Sequence, residues 1–576
     1  MILVYNTEVS ENTTIVLPLY GNVNVQVDWG DGTVSSIKDT GKHSHTYDKD
    51  GTYTVEISGR LEHFGTYINF NKLETWEENA PCCPKLIEVK SFGDLGIVSL
   101  QGAFWREVNL VSVPEDIPST VNDMSWMFLE ASSFNHDVST WNVTNVTDMS
   151  AMFLGALEFN QDIGAWDVSN VTNMRAMFLG AQSFNQDIGM WNTSKVTNLS
   201  QMFFGAASFN QGIGEWDVSD VTDMSMMFRD ADHFNQNIGN WDVSNVTNMA
   251  EMFAFTSEFN QNIGEWDVSD VTDMSMMFRN ANHFNQDIGN WDVSNVTNMR
   301  AMFWGAWSFN QDISKWDVSN VINMSAMFSD AASFNKEIGG WNVSNVTNMS
   351  AMFRGALSFN QDIGYWNVSN VAGMSLLFAN ALNFNQDIGR WNVENVTDMA
   401  EMFACKEREL RNLHVLSGRH SSNGSRLVNA KRVYLTSFNQ DIGDWNVSRV
   451  KNMRGMFSGA RRFNIDIGKW DVSNVTDMSR MFYGAISFNQ DIGNWDVSNV
   501  TDMSEMFASG RGLRGAFNQN IASWNVSKVK SMSRMFNGAA SFCRDIGSWD
   551  VSDSTDMTHM FWRSGIKELP NWYNKD

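Results

Sequence analysis

Side chains able to do chemistry fall in this chain into columns spaced 25 residues apart. Counted from Phe134, the unit is Phe-Asn-Gln-Asp-Ile-Gly-x-Trp-Asp-Val-Ser-Asn-Val-Thr-Asn-Met-Ser-x-Met-Phe-x-Gly-Ala-x-Ser. It occurs 16 times, each copy with its Trp, from Trp141 to Trp549. Position 9 is Asp in nine copies and Asn in seven, for example Asp167 and Asn192. Free exchange of the two keeps an acceptor oxygen and discards the charge. That argues against carboxylate catalysis or an obligatory calcium ligand and for a local bond from side chain to backbone. A weak pull of the whole acidic face on cations is the second reading. Ser at position 11 (Ser169, Ser219) has no His or Lys partner column, so no nucleophile is built. The Met columns (Met149, Met152, Met174, Met177) travel with Phe and fit core better than soft-metal binding. His43, His45, His136, His233 and His283 are scattered, and no His/Cys/Asp/Glu cluster has ligand spacing. Cys82, Cys83, Cys405 and Cys543 match no zinc or redox motif. No Gly-rich phosphate loop occurs. The sequence thus offers no catalytic residue, metal site or cofactor, and an enzyme is the class it supports least.

Two columns carry the candidates. Position 2 is Asn in 15 of 16 copies, the exception being Cys543. Near-invariance where other positions drift signals geometry. Asn135, Asn160, Asn185, Asn210, Asn235, Asn260, Asn285, Asn310, Asn335, Asn360 and Asn385 are expected to form an internal ladder that satisfies backbone groups of neighbouring coils. A polar ligand column is the competing reading, and Cys543 is expected to sit there with bonds lost. Position 7, by contrast, varies freely (Thr140, Ala165, Met190, Lys315, Asp444) and should lie on an outward strand face beside position 9. The candidate ligand-binding face is Glu215, Asp217, Asn240, Asp242, Glu265, Asp267, Asn290, Asp292, Tyr365 and Arg390. Variable residues on a rigid face are how such repeats select ligands, and unconstrained exposure produces the same variation. Position 21 (Leu154, Phe204, Arg229, Trp304, Tyr483, Trp562) is also free and leaves aromatics exposed.

Hydrophobic periodicity must position these columns. A fixed period of this size indicates a solenoid or a propeller. Propeller blades need about 40 residues for four strands, so the shorter unit points to a solenoid with one short strand per coil. Ile163, Trp166, Val168 and Val171 alternate with polar residues, which predicts a strand with Trp166 and Val168 inward. Met174, Met177 and Phe178 lie at helical offsets behind a Thr or Asn cap, which predicts a short helix or 3₁₀ turn over Thr172–Ala181. The expected class is α/β. Glu215–Met249 and Glu265–Met299 are nearly the same sequence, so a two-coil block was duplicated.

The stretch FNQDIGNWDVSNVTNM at residues 284–299, with its copies, resembles the BspA-like leucine-rich-repeat surface proteins. The resemblance implies a right-handed leucine-rich-repeat-like solenoid (134–561) displayed at the cell surface or outside the cell. It implies adhesion to a protein, matrix or glycan partner and gives no catalytic residue. A binding module for a regular polymer or crystal surface, polysaccharide or ice, is the alternative; one Thr per coil at position 14 supports it less.

Residues 1–62 read differently. Asn22-Val-Asn-Val-Gln-Val-Asp-Trp29 alternates as a strand, and Gly30-Asp31-Gly32 signals a hairpin. With His45-Thr46-Tyr47 and Gly51-Thr-Tyr-Thr-Val55 these motifs resemble the PKD domain, an immunoglobulin-like β-sandwich. Residues 63–133 are expected to be irregular capping coils and 562–576, with Leu569-Pro570-Asn571-Trp572, a C-terminal cap. The segment 405–436 interrupts the period and is basic in an acidic chain. A disordered loop, a retained non-coding stretch and a binding arm all fit it.

Net charge of −26 and a pI near 4.7 oppose sequence-independent nucleic-acid binding, which needs cations against phosphates, and disfavour anionic lipid. No apolar run of about 18 residues exists to span a membrane. The start shows no basic n-region or apolar h-region, so export would require a longer reading frame upstream.

Overall fold

The computed structural model describes residues 1–10, 12–67, 84–406, 436–510 and 512–573. It divides into two compact units, Met1–Val271 and Thr272–Asp576.

Strict alternation makes the N-terminal strands. β1 is Ile2–Asn6, β2 Thr14–Asp28, β3 Val34–Ile37, β4 Gly41–Thr46, β5 Thr52–Phe64 and β6 Leu86–Ser91. They form one antiparallel sheet in the order β3-β2-β5-β1-β6, with β4 also paired to β2. Long β2 serves both sides: Thr14–Leu19 pairs with β4 and Val25–Asp28 with β3, with a register shift between Tyr20 and Val23 against β5. Val23, Val25 and Val27 are buried while Asn24, Gln26 and Asp28 are exposed, the period-two pattern of a half-buried strand. The hairpin after Trp29 closes through its N–H to Thr33 O at 3.1 Å. Gly30 takes φ +79° there, and a Cβ would meet Thr54 O at 2.4 Å, so only glycine fits. The turn brings the separated motifs together. His45 stacks on Trp29 at 4.6 Å and contacts Asp31 at 2.8 Å, and the Tyr47 hydroxyl donates to Trp29 O at 2.8 Å. β6 lies inside the segment expected to hold only capping coils. It pairs with β1, so the sheet extends past residue 62.

The coils depart from expectation in both halves. Among the described residues there is no α-helix; one 3₁₀ turn, Thr7–Val9, lies outside the coils. Where a helix was expected, alternate N–H groups leave the coil. Met149, Ala151, Phe153 and Gly155 donate to Asn173, Arg175, Met177 and Leu179 O at 3.0, 2.8, 2.9 and 2.7 Å. The intervening Met152 and Leu154 donate to Met149 and Ala151 O at 3.2 Å. Position 18 adopts a left-handed backbone in coil after coil, with φ 53° at Ala151, 56° at Ala176 and 62° at Gln201. A helix needs negative φ throughout and bonds within its own segment, so neither condition is met. Helical offsets of the apolar residues are satisfied instead by a tight turn that faces the next coil.

The expected strand is also reduced. Trp166 and Val168 point inward and are buried, but no ladder runs through them. Beside the outgoing N–H bonds of the turn, strand pairing between coils is reduced to a single parallel bridge residue at position 15. In the first unit it runs Ser99–Asp123–Asp148–Asn173–Asn198–Asp223–Asn248, and in the second Asp273–Asn298–Asn323–Asn348 and onward. Coil bridging therefore begins upstream of Phe134. The α/β assignment gives way to an architecture of turns and bridges joined to an all-β sheet.

Aromatic columns fill the interior. Phe159 stacks on Phe153 at 3.8 Å and on Phe184 at 6.0 Å, and Trp166 lies parallel to Trp141 at 6.4 Å. The Trp166 indole N–H donates to Val138 O at 3.0 Å, so the buried polar atom is satisfied. At the C-terminus Trp572 repeats this device, donating to Ile546 O at 3.1 Å and stacking on Trp549 at 5.9 Å.

Candidate functional site

The polar columns divide into those the backbone uses and those it leaves free. At position 2 the Asn135 Oδ1 accepts the N–H of Asn160 at 2.9 Å, Asn160 that of Asn185, Asn185 that of Asn210, and so to Asn260. In the second unit Asn285 starts the same series with Asn310, which runs through Asn335, Asn360 and Asn385. The column is half-buried rather than internal. Cys543 loses little, because its backbone N–H still donates to Asn518 Oδ1 at 3.1 Å. What the ladder requires is the asparagine of the preceding coil, and Cys543 lies in the last 25-residue copy.

Position 9 closes a local turn. Ser169 N–H donates to Asp167 Oδ1 at 3.1 Å, and Ser194 N–H to Asn192 Oδ1 at 3.2 Å, so acid and amide make the same bond. Hydroxyl and backbone bonds from the following Ser hold Asp167, Asp217 and Asp292 below the usual carboxylate range. The same two-residue turn occurs at position 4 (Asp162 to Gly164 N–H, 3.0 Å) and position 15 (Asp148 to Ser150 N–H, 2.8 Å).

Two further ladders escaped sequence reasoning. Gln161 Nε2 at position 3 donates to Asn135 O at 2.9 Å, and Asn170 Nδ2 at position 12 to Thr144 O at 2.8 Å. The available signal was their recurrence, Gln at position 3 in 12 of 16 copies and Asn at position 12 in 10 of 16. Where position 12 is basic, the cation takes the outward Oδ1 of the previous coil: Lys195 Nζ to Asn170 at 2.6 Å and Lys528 Nζ to Asn499 at 2.7 Å.

Glu215, Asp217, Asn240, Asp242, Glu265 and Asp267 are all exposed on successive coils of the first unit. Asn290, Asp292, Tyr365 and Arg390 are exposed in the second. Position 7 occupies a turn and not a strand face, because positions 6 and 7 reverse the chain before Trp at position 8 goes inward. In the second unit Tyr365 and Arg390, on adjacent coils, meet: the guanidinium lies 5.5 Å from the ring centre. Position 21 residues pair elsewhere on the coil. Arg229 covers Phe204 at 4.8 Å and binds Glu251 at 2.6 Å, and Arg279 covers Trp304 at 4.3 Å. No group of three or more metal-ligating side chains occurs among the described residues.

A family model described as "Mycoplasma protein of unknown function, DUF285" matches residues 103–213, 185–281, 236–339, 305–414, 423–515 and 514–573. The chain belongs to the DUF285 family. It is a tandem-repeat protein, and the matches begin at 103, within the bridged coils that precede Phe134. No curated protein matches this DUF285 chain. A solved structure similar to it is the "Crystal structure of TLR13-ssRNA13 complex", at 10% identity over 83% of this chain and 76% of that chain, with a TM-score of 0.19.

Proposed function

We propose that this chain is a non-enzymatic binding protein of the cell surface, engaging a protein, matrix or glycan partner through the exposed residues at positions 7 and 9. The observation that carries this is the contrast between neighbours in the chain. Position 8 is a Trp buried to 3 or 4% exposure in every copy, while position 7 beside it stands out in solvent as Met190 (89% exposed) or Tyr365 (77%). The framework constrains the first and leaves the second open to selection by a ligand. Membership of a tandem-repeat family and the resemblance to surface adhesins support the location. The N-terminal strands form one sheet and not the expected sandwich; what supports a PKD-like module is the convergence of Trp29, Asp31, His45 and Tyr47 near one hairpin.

The test is the intact chain, labelled, on arrays of matrix proteins and glycans. A variant with Glu215→Ser, Glu265→Ser, Tyr365→Ser and Arg390→Ser should keep its melting temperature and lose the captured partner. Capture unchanged by these substitutions sinks the reading. The second reading, a regular polymer, draws on a groove of about 550 Å³ lined by Asn295, Thr297, Asn320, Ile322, Asn345 and Thr347. Binding of a repeating polysaccharide that survives the position 7 variant but is lost in Ile322→Glu would favour it.

A further inference from the structure

The first unit holds a cavity of about 420 Å³ away from the coil columns, within the usual range for small-molecule sites. Ile15, Phe64 and Leu86 give it apolar walls, and Val16 stands exposed at its rim. Lys85, 2% exposed, lines it and donates from Nζ to Asn12 Oδ1 and Thr14 O, both at 2.8 Å. No carboxylate lies within ion-pair distance of that ammonium among the described residues. Glu107 lines the same cavity and accepts the Leu86 N–H at 3.1 Å, but burial pushes its carboxyl up to about 8. The nearby Lys85 cation opposes that rise. Trp105, 3% exposed, also lines the cavity, and its indole N–H is buried without a partner among the described residues.

A buried ammonium with only neutral acceptors at hydrogen-bond distance and a buried donor lacking an acceptor are both costly arrangements, and an anionic acceptor in the cavity they line would relieve them. We infer that this cavity binds a small amphiphile carrying one carboxylate, with the carboxylate at Lys85 and Trp105 and the apolar part against Ile15, Phe64 and Leu86. The inference is independent of the coil columns and their partner.

The experiment titrates the full chain with sodium octanoate by calorimetry, using octanol and octyltrimethylammonium as length-matched controls. Octanoate binds one per chain, and octanol binds at least about tenfold more weakly for want of the charged acceptor. Val16→Trp, which blocks the rim from an exposed position, and Trp105→Phe, which removes the donor and keeps the ring, each weaken octanoate binding at least about tenfold. Lys85→Gln abolishes it; if that variant does not fold, the other two decide. The inference is overturned if octanol binds as well as octanoate, if Val16→Trp and Trp105→Phe leave affinity unchanged, or if octanoate, hexanoate and benzoate all fail to bind at millimolar concentration.

Discussion

The N-terminal sheet and the coils solve the same backbone problem by opposite means. In the sheet, β2 and β5 pair through runs of residues, and side chains need only alternate between core and water. In the coils one residue per copy makes a bridge, backbone bonds of the kinked turn such as Ala151 N–H to Arg175 O run from coil to coil, and side-chain ladders add to them. Uniform polar residues therefore mean different things in the two regions. In the sheet the conspicuous polar residues are few and meet singly, as Asp31 in the turn after Trp29 meets His45 on β4. In the coils the repeated Asn, Asp and Gln are as structural as the Phe and Trp, and any ligand must be recognised by what the ladders leave free.

The sharpest way to break that account is to remove a ladder member that is also core. Trp166→Ala deletes a fully packed ring between Trp141 and its successors and orphans the Val138 carbonyl. It should cost about 3–5 kcal/mol, read as a shift of the denaturation midpoint at constant slope. Next comes the polar ladder. Asn160→Ala leaves the Asn185 N–H without its acceptor, while Gln186 Nε2 keeps the Asn160 backbone O, a loss of about 1–3 kcal/mol. Asp167→Ala opens only an exposed local turn and should cost less. Equal melting shifts for the two would mean that position 2 is not a ladder in the energetic sense.

Much of this was legible because the apolar positions repeat. Ile163, Trp166, Val168, Met174 and Phe178 are buried as their spacing demands. The secondary structure was not, and the reason is specific. Met174, Met177 and Phe178 share one face in a helix and equally in a turn kinked at Ala176, and position 18 is glycine only at Gly455 and elsewhere Ala, Gln, Met, Glu, Leu, Arg or His, so no glycine column flags its left-handed φ. Hydrogen bonds from one copy to the next do not show in the local sequence, so the roles of Gln161 and Asn170 emerge only with their acceptors. Of the candidate face, exposure was readable from the inward Trp; its placement on a turn was not, because the expected strand is only a bridge at position 15.

Acid sharpens the comparison further. Asp167, Asp217 and Asp292 are held below the ordinary carboxylate range by bonds from the following Ser. A carboxyl depressed on folding stabilises the native state above its unfolded value, about 3.9 for Asp, and that contribution fades as pH falls through the folded value. In the sheet Asp31 is depressed to about 2, first by the Thr33 hydroxyl and also by His45. Copies with Asn at position 9 keep the bond and do not titrate. Replacing all three coil residues by Asn should leave melting at pH 7 nearly unchanged and reduce the fall in melting temperature between about pH 4 and pH 2. A steeper acid loss in the triple variant would contradict the assignment.

The smallest effect is expected from the largest deletion. Residues 407–435 lie outside those described, but the coils on either side meet as if nothing intervened. Asn439 N–H donates to Asn385 Oδ1 at 2.9 Å, Trp445 Nε1 to Ile388 O at 3.1 Å, and Asp398 bridges Asn452. Phe457 stacks on Phe403 at 5.7 Å, the distance seen between uninterrupted copies such as Phe203 and Phe228. Ala404 and Ser437 occupy positions 21 and 25 of one unit, so Gly-Ala-Ala in place of 405–436 restores the period. Gly at position 22 suits the left-handed backbone seen at Gly155 and Gly180. The deletion variant should melt at the same temperature or slightly higher, because a coil contacts only its neighbours and both neighbours keep their bonds. Limited proteolysis of the parent chain should cut first inside the insert. A lowered melting point would show that the insert supports the stack, and loss of the array-captured partner on deletion would make it the binding arm.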